Sequence, residues 1–196
     1  MHSVYDFVVT PKGDRYNNTK KIGDKNLILN SEISNHLYVN RQATVISVPF
    51  VGKTDIKPGD TVVVHHNVFR RWHNIKGVEK NSRSYFDEKT YFITPEQIFL
   101  YKRKDEWLCP DGYCFVKPLK SKDKFNIEVE EPLKGIVKYA DGTVKKGDLV
   151  GFKPGSKFEF VVDGERLYRV LSHFITIKYE HKGNEEEYNP SWTQSS

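Results

Sequence analysis

Apolar residues fall in short runs along the chain rather than in a helical stripe. The runs occupy residues 5–9, 43–48, 61–64, 91–101, 113–116, 135–139, 149–152, 158–162 and 167–178. They are rich in β-branched and aromatic residues, they end at Gly, Pro, Asp or Asn, and none sustains a helical period. The pattern predicts an all-β fold of many short strands, and closure into small barrels would remove their exposed edges.

The chain also repeats itself, which is a stronger signal than any single strand. Residues 57–60 and 145–148 both read Lys-x-Gly-Asp and lead into an apolar strand, where Gly and Asp are suited to a tight turn. Three further pairs of segments match in the same order: residues 5–11 with 113–118, 44–48 with 135–139, and 91–100 with 168–177. We therefore predict a domain of residues 1–106, a second domain of residues 107–183 and a flexible polar tail of residues 184–196.

Composition narrows the class of protein. The 196 residues are 37% hydrophobic and 13% aromatic, which is typical of small folded cores and not of a disordered chain. The net charge of +5 permits an acidic partner, a nucleic acid or a solvated basic surface. With only two cysteines, Cys109 and Cys114, and no long apolar run, the sequence predicts a soluble cytoplasmic protein without a membrane span.

The order of elements resembles that of the GroES-like, ten-kilodalton co-chaperonins. Those proteins have a first strand, a long loop, a Gly-x-Val strand, a Val-x-x-Gly-Asp turn with its strand, and a closing strand of Ile-Leu type. Both halves of this chain fit the order, from about residue 4 to residue 181. The resemblance implies two tandem GroES-like small β-barrels. The duplication and the short segments 49–54 and 140–143, where bacterial members carry a roof hairpin, indicate an unusual member, and a viral origin is one hypothesis.

The segment with the clearest functional signal is the loop of about residues 12–41. It is rich in Lys, Asn, Asp and Gly, and it is too long for a structureless connection unless it is functional or disordered. Its one apolar triplet is Leu27, Ile28 and Leu29, with asparagines on both sides. The resemblance implies that this triplet inserts between two helices of a chaperonin's apical domain. The alternative is a buried extra strand that packs on its own barrel.

The corresponding loop of the second repeat, residues 119–133, is shorter. Its apolar residues Ile127 and Val129 have a carboxylate between them, so it is the poorer apolar peptide. We therefore assign the chaperonin contact to the first repeat, with Ile127 and Val129 as a possible secondary contact.

The resemblance implies a co-chaperonin that caps a GroEL-like chaperonin ring in an ATP-dependent cycle and assists the folding of an encapsulated client protein. Chains would form a homo-oligomeric ring, for which a heptamer would match a sevenfold partner. ATP would be used by the partner, so we expect no cofactor, no catalytic residue and no enzymatic activity in this chain. If the protein is viral, it would act in the host cytoplasm.

The first repeat also carries an insertion at residues 65–85, and this supports a different hypothesis. Its cluster of Phe69, Arg70, Arg71 and Trp72 could line the cavity or an interface. Interleaved aromatic and arginine side chains on a basic β-barrel are also typical of single-stranded nucleic-acid binding.

A metal site is the weakest hypothesis. The histidines at positions 65, 66 and 73 lie in a different segment from the two cysteines, whose Cys-x4-Cys spacing is not that of a zinc knuckle. No metal is therefore expected.

Overall fold

The computed structural model describes residues 3–28, 35–36, 38–122, 130–180 and 183–195. Over these residues the chain is all-β, as predicted, with antiparallel strands and four short 3-10 turns. It divides into two compact units, Met1–Glu106 and Trp107–Ser196. The 3-10 turns are His66–Val68, Pro95–Gln97, Ser172–Phe174 and Ser191–Ser195.

Unit 1 is built on one large sheet, with two separate hairpins. Its strands are β1 (Phe7–Pro11), β2 (Thr19–Ile22), β3 (Lys25–Ile28), β4 (Gln42–Ser47), β5 (Thr61–Val64), β6 (Arg71–His73), β7 (Glu79–Asn81), β8 (Tyr85–Asp87), β9 (Thr90–Ile93), β10 (Ile98–Arg103) and β11 (Glu106–Leu108), the last of which crosses into the next unit. The sheet has the order β11-β10-β5-β4-β1-β9-β8, whereas β2 pairs with β3 and β6 with β7. Fully buried side chains such as Phe7, Val9, Val62, Ile93 and Leu100 form its core.

Unit 2 is a single sheet of six strands. They are β12 (Tyr113–Lys120), β13 (Glu130–Ala140), β14 (Leu149–Phe152), β15 (Phe158–Val162), β16 (Glu165–Leu171) and β17 (Ile175–Tyr179). The order across the sheet is β15-β16-β12-β13-β14-β17. Its core includes Cys114, Val116, Val137, Val150 and Val170.

The two units repeat one strand order, which confirms the internal repeat. The series β8-β9-β1-β4-β5-β10 in unit 1 corresponds strand for strand to β15-β16-β12-β13-β14-β17 in unit 2. Both first strands shift register at the same place, between Val8 and Val9 and between Phe115 and Val116. Closure into barrels stays a prediction, because the pairings of the described residues include none between the two edge strands of either sheet.

The first Lys-x-Gly-Asp turn is a hydrogen-bonded unit. Gly59 has φ +91°, which glycine adopts without steric cost. The Asp60 carboxylate accepts a hydrogen bond from the Lys57 amide at 2.8 Å. The Gly59 amide donates to the Val45 carbonyl, also at 2.8 Å. The turn thus fixes the register between β4 and β5.

The second turn repeats these contacts. Gly147 has φ +89°, the Asp148 carboxylate accepts from the Lys145 amide at 3.0 Å, and the Gly147 amide donates to the Val137 carbonyl at 2.8 Å. The sequence predicted both turns correctly, including their structural role.

Two of the matched segments differ by one residue from the structural repeat. Val45 and Val137 accept the equivalent hydrogen bonds from the two turn glycines, so these two residues correspond in the structure. The sequence match pairs Val45 with Ile136 instead. The strand pairs equate Val8 with Phe115 rather than with the valine that follows it. Apolar residues are consecutive in these strands, so the hydrophobic pattern tolerates a slip that only backbone partners resolve.

The polar tail is attached to unit 2, where the sequence predicts a flexible segment. The Tyr188 amide donates to the Pro118 carbonyl at 2.9 Å, and the Lys120 amide donates to the Glu186 carbonyl at 2.8 Å. Thr193 is fully buried. The tail satisfies backbone groups at the end of β12, a contact that polar composition does not reveal.

Candidate functional site

The loop of residues 12–41 contains a hairpin that sequence reasoning missed. β2 and β3 pair along their whole length, down to Ile22 opposite Lys25, and the turn between them is Gly23-Asp24. Gly23 has φ +59°, as the first central residue of a two-residue hairpin turn often does. Such a Gly-Asp pair between two short segments was the available signal. It was obscured because lysines and asparagines interrupt the apolar pattern.

This hairpin presents the predicted contact residues to solvent. On β3, 52% of Leu27 and 64% of Ile28 is exposed, and on β2 Ile22 is 58% exposed. The third predicted residue, Leu29, lies outside the described residues. Because both described residues are exposed, the alternative of a buried extra strand does not hold for Leu27 and Ile28. By the register of the hairpin, Ile22 and Leu27 lie on one face and Ile28 on the other, so the hairpin exposes aliphatic side chains on both faces.

The stem of the loop is held together, in contrast to its exposed tip. Tyr16 and Val39 form an isolated β-bridge across the stem. The buried Asn40 side chain donates to the carbonyl of Lys12 at 3.0 Å and to that of Asp14 at 2.8 Å. The loop is therefore positioned by backbone contacts at its base.

The insertion of residues 65–85 anchors this stem. The Arg15 guanidinium, 9% exposed, donates to the Phe69 carbonyl at 3.2 Å and to the Asn81 side chain at 2.9 Å. The Tyr16 hydroxyl accepts from the Arg71 amide at 2.7 Å. The base of the loop and the base of the insertion thus form one hydrogen-bonded joint.

Within the insertion, β6 and β7 form a second hairpin with an ordered tip. The Asn74 side-chain oxygen accepts from the amides of Lys76 and Val78, each at 3.0 Å, and the Gly77 amide donates to the Asn74 carbonyl at 2.9 Å. At this tip the Ile75 side chain is fully exposed. The tip is a second place where a fixed backbone presents an aliphatic side chain to solvent.

Both hairpins leave the sheet at the same end. The loop begins after Pro11 and returns at Gln42, and Pro11 pairs with Ala43. Gln42 in turn pairs with Val63 near the end of β5, where the insertion begins. The end of the sheet that carries the loop therefore also carries the insertion.

A cavity of about 300 Å³ opens beside the joint. Its walls include Asp14 and Glu88 as well as Arg15 and Arg71, so they carry charges of both signs. Arg15 lies 3.5 Å from the Glu88 carboxylate. Deeper in the unit, burial raises the pKa of Tyr91 to about 12. The polar groups at the joint serve to hold the two stems together.

The predicted cluster of Phe69, Arg70, Arg71 and Trp72 does not form a shared surface. Phe69 is fully buried and packs edge-on against Tyr91, with ring centroids 4.7 Å apart. Arg71 pairs with a carboxylate on β7 at 3.2 Å, whereas Trp72 is exposed on β6. Arg70, which precedes β6, is half-buried near His66. Burial of the Phe69 ring and the alternation of Arg71 and Trp72 along β6 separate the remaining side chains.

Three histidines meet beside the loop stem. His66 stacks on His65 with centroids 4.3 Å apart and lies 5.3 Å from His36. Burial, followed by the neighbouring charges of His65, Arg41, His36 and Arg70, lowers the pKa of His66 to about 4. Within the described ranges, no group of three or more His, Cys, Asp or Glu residues could hold a metal ion.

Both cysteines are free thiols. Burial raises the pKa of Cys114 to about 12 and raises that of Cys109 as well. The predicted secondary contacts Ile127 and Val129 lie outside the described residues.

No family model matches the chain, and the search of curated proteins found no match. The described residues include no helix with the length and hydrophobicity that a membrane-spanning segment requires.

Proposed function

We propose that the chain is a co-chaperonin that docks on a chaperonin ring through the hairpin β2–β3. The observation that carries the proposal is the exposure of Leu27 and Ile28 on a hairpin whose stem is fixed to the sheet. In this proposal the chain supplies binding and enclosure, while the partner hydrolyses ATP. The client is an unfolded polypeptide inside the closed chamber.

The physical features of the hairpin support this role. When a groove buries an extended apolar segment, binding is stabilised by roughly 25 cal/mol per Å² of apolar surface removed from water. The exposed polar side chains of Asn26, next to Leu27, and of Lys25, next to the turn, keep the free hairpin hydrated. Because each contact is small, it is releasable, and a ring of chains multiplies weak contacts into avidity.

The duplicated architecture supports the second part of the proposal. Each chain contributes two sheets of the same strand order, and a ring forms when chains join head to tail and close. Seven chains would match a sevenfold chaperonin. The working compartment would be the cytoplasm in which the partner ring resides.

The nucleic-acid hypothesis receives less support from the geometry. Its platform needs neighbouring exposed rings, and Phe69 is instead part of the core. Salt dependence separates the two hypotheses, because phosphate contacts weaken steeply as ionic strength rises and an apolar anchor does not.

The test is ATP-dependent binding of the native chain to a bacterial-type chaperonin ring, compared with Ile28→Asp. A carboxylate in an apolar groove loses the burial energy and adds a desolvation penalty, so we expect binding to fall at least 100-fold. Val51→Asp is the matched control, because Val51 is a similarly exposed aliphatic residue in the turn at the opposite end of the sheet.

Binding of the native chain and of Val51→Asp, but not of Ile28→Asp, supports the proposal. Equal binding by all three chains would show that the hairpin is not the contact. If the native chain fails to bind the ring and instead binds single-stranded DNA in a salt-sensitive manner, the nucleic-acid hypothesis replaces it.

A further inference from the structure

In the function proposed above, the insertion of residues 65–85 anchors the loop stem, but its own hairpin β6–β7 has no assigned partner. It interrupts the strand order of unit 1 between β5 and β8. In unit 2, residues 153–157 connect β14 directly to β15, so the hairpin β6–β7 has no counterpart. The insertion therefore belongs to the same unit, and to the same end of the sheet, as the loop hairpin.

The two faces of the hairpin β6–β7 differ. Arg71 and Glu79 form an ion pair on one face, and Asn81 accepts a hydrogen bond from Arg15. The hydrogen bond from Arg15 attaches that face to the loop stem. On the other face the cross-strand neighbours Trp72 and Lys80 are exposed. The outward face is apolar and basic.

The tip of the hairpin is ordered rather than loose. Four hydrogen bonds at Asn74 fix the turn: two to its side chain, from Lys76 and Val78, and two through its backbone, with Val78 and Gly77. This turn presents a fully exposed Ile75 with an exposed Val78 next to it. A preorganised apolar tip loses little conformational entropy when it enters a pocket, so it is suited to binding.

We propose that the hairpin β6–β7 is a second contact with the chaperonin ring, made by Ile75, Val78 and Trp72 while the hairpin β2–β3 makes the first. This inference rests on the proposed function. The shared joint carries the argument: the Arg71 amide donates to Tyr16 at 2.7 Å, and Arg15 donates to Asn81 at 2.9 Å. The roots of the two hairpins are therefore joined, and both hairpins leave the same end of the sheet.

The flanking charges indicate what this part of the partner looks like. Lys76 and Lys80 are exposed beside the apolar side chains. The partner surface is accordingly an apolar depression with carboxylates on its rim. Such a rim contributes mainly to the rate of association and to specificity, whereas the apolar tip slows dissociation.

The test measures binding to a bacterial-type chaperonin ring with ATP for four chains: native, Ile28→Asp, Ile75→Asp and the control Val51→Asp. Because Ile75 is fully exposed, its substitution leaves the unfolding midpoint unchanged, which denaturation confirms before binding is measured. We expect Ile75→Asp to weaken binding about tenfold or more, mainly through faster dissociation. Lys76→Glu should slow association and make the association rate fall less steeply as salt rises, because a repulsive charge replaces an attractive one.

The outcomes distinguish failure of the proposed function from failure of the second contact alone. If the native chain does not bind, the proposed function fails and this inference with it. If Ile28→Asp abolishes binding and Ile75→Asp binds like the native chain, the inference alone is overturned. If Ile75→Asp instead changes the size of the assembly in sedimentation, its tip contacts a second copy of this chain, and the inference is likewise overturned.

Discussion

Units 1 and 2 share a scaffold and differ in what is attached to it. Tyr91 and Tyr168 occupy the same place, opposite Val9 and Val116 on the first strand of each unit. Yet the Tyr168 hydroxyl donates to Glu130 at 2.6 Å, whereas the ring of Tyr91 lies 5.5 Å from the Arg15 guanidinium. In unit 2 the position closes a local polar network, and in unit 1 it supports the joint of the two hairpins. The two units therefore share the same sheet, and in unit 1 one end of that sheet carries the additional contacts between the two hairpins.

The largest expected effect is at the root of the insertion, which is part of the core of unit 1. Phe69→Ala removes a fully buried ring and should reduce the free energy of unfolding by about 3–5 kcal/mol. Trp72→Ala, on the exposed face of the same insertion, should change it by less than about 0.5 kcal/mol. Urea denaturation measures both. A small loss for Phe69→Ala would mean that the insertion is an appendage without a role in packing.

The equivalent turn aspartates of the two units also differ in their surroundings. Asp60 is buried and also pairs with Arg103 at 2.8 Å, whereas Asp148 pairs with the exposed Lys178. We expect Asp60→Ala to cost about 2–3 kcal/mol and Asp148→Ala about 1 kcal/mol, because only Asp60 is buried, and its loss leaves the Lys57 amide and the Arg103 guanidinium without their shared carboxylate. Chemical denaturation of the two variants decides this, and equal costs would contradict it.

The next effect concerns the stem, which positions the loop. Asn40→Ala removes the hydrogen bonds to the carbonyls of Lys12 and Asp14 and should cost about 1–2 kcal/mol. Amide hydrogen exchange in residues 12–17 should become faster. Asn26→Ala, at an exposed position on β3, is the control and should leave these exchange rates unchanged. Unchanged exchange in Asn40→Ala would show that the bridge at Tyr16 is sufficient.

The last expected effect is the pH dependence that His66 gives to unit 1. The pKa of His66 is about 4 in the folded chain and 6.5 as its ordinary value, so protonation favours the unfolded state. The contribution of neutral His66 to the free energy of unfolding is complete above about pH 6.5 and is lost as the pH falls towards 4. Because the ring is partly exposed, the loss is less than about 1.4 kcal/mol per pH unit. In unit 2 the corresponding connection, residues 153–157 between β14 and β15, contains no histidine.

Denaturation of the native chain and of His66→Gln between pH 7 and pH 4 tests this. We expect the native chain to lose more stability than the variant over that interval. His36, Arg41, His65 and Arg70 remain in the variant, so an identical pH profile would place the effect on those neighbours instead.

The sequence predicted the repeat and most strands of the two large sheets, because they depend on local chemistry, but it did not predict the two separate hairpins. Gly59 and Gly147 need a positive φ, and the aspartates that follow them accept nearby amide hydrogens, so both turns could be recognised. The one-residue slip at Val45 could not be excluded, because consecutive apolar residues fit either register.

For the candidate site, the exposed pair Leu27 and Ile28 was predicted and the joint was not. Arg15 and Asn81 are far apart in the sequence, and nothing in their local surroundings indicates that they meet. Phe69 was assigned to a surface because it lies among arginines, although burial of its ring against Tyr91 decides its position.

The tail described above offers a way to observe the second loop. Its pairing of Glu187 with Leu119 brings residues 186–188 next to the point where the loop of residues 119–133 begins. Asn184, two residues before this segment in the chain, is exposed. Because the high pKa values of Cys109 and Cys114 keep both thiols protonated at neutral pH, a cysteine introduced at position 184 can be labelled selectively. A fluorophore there would report on that loop while leaving both hairpins of unit 1 untouched.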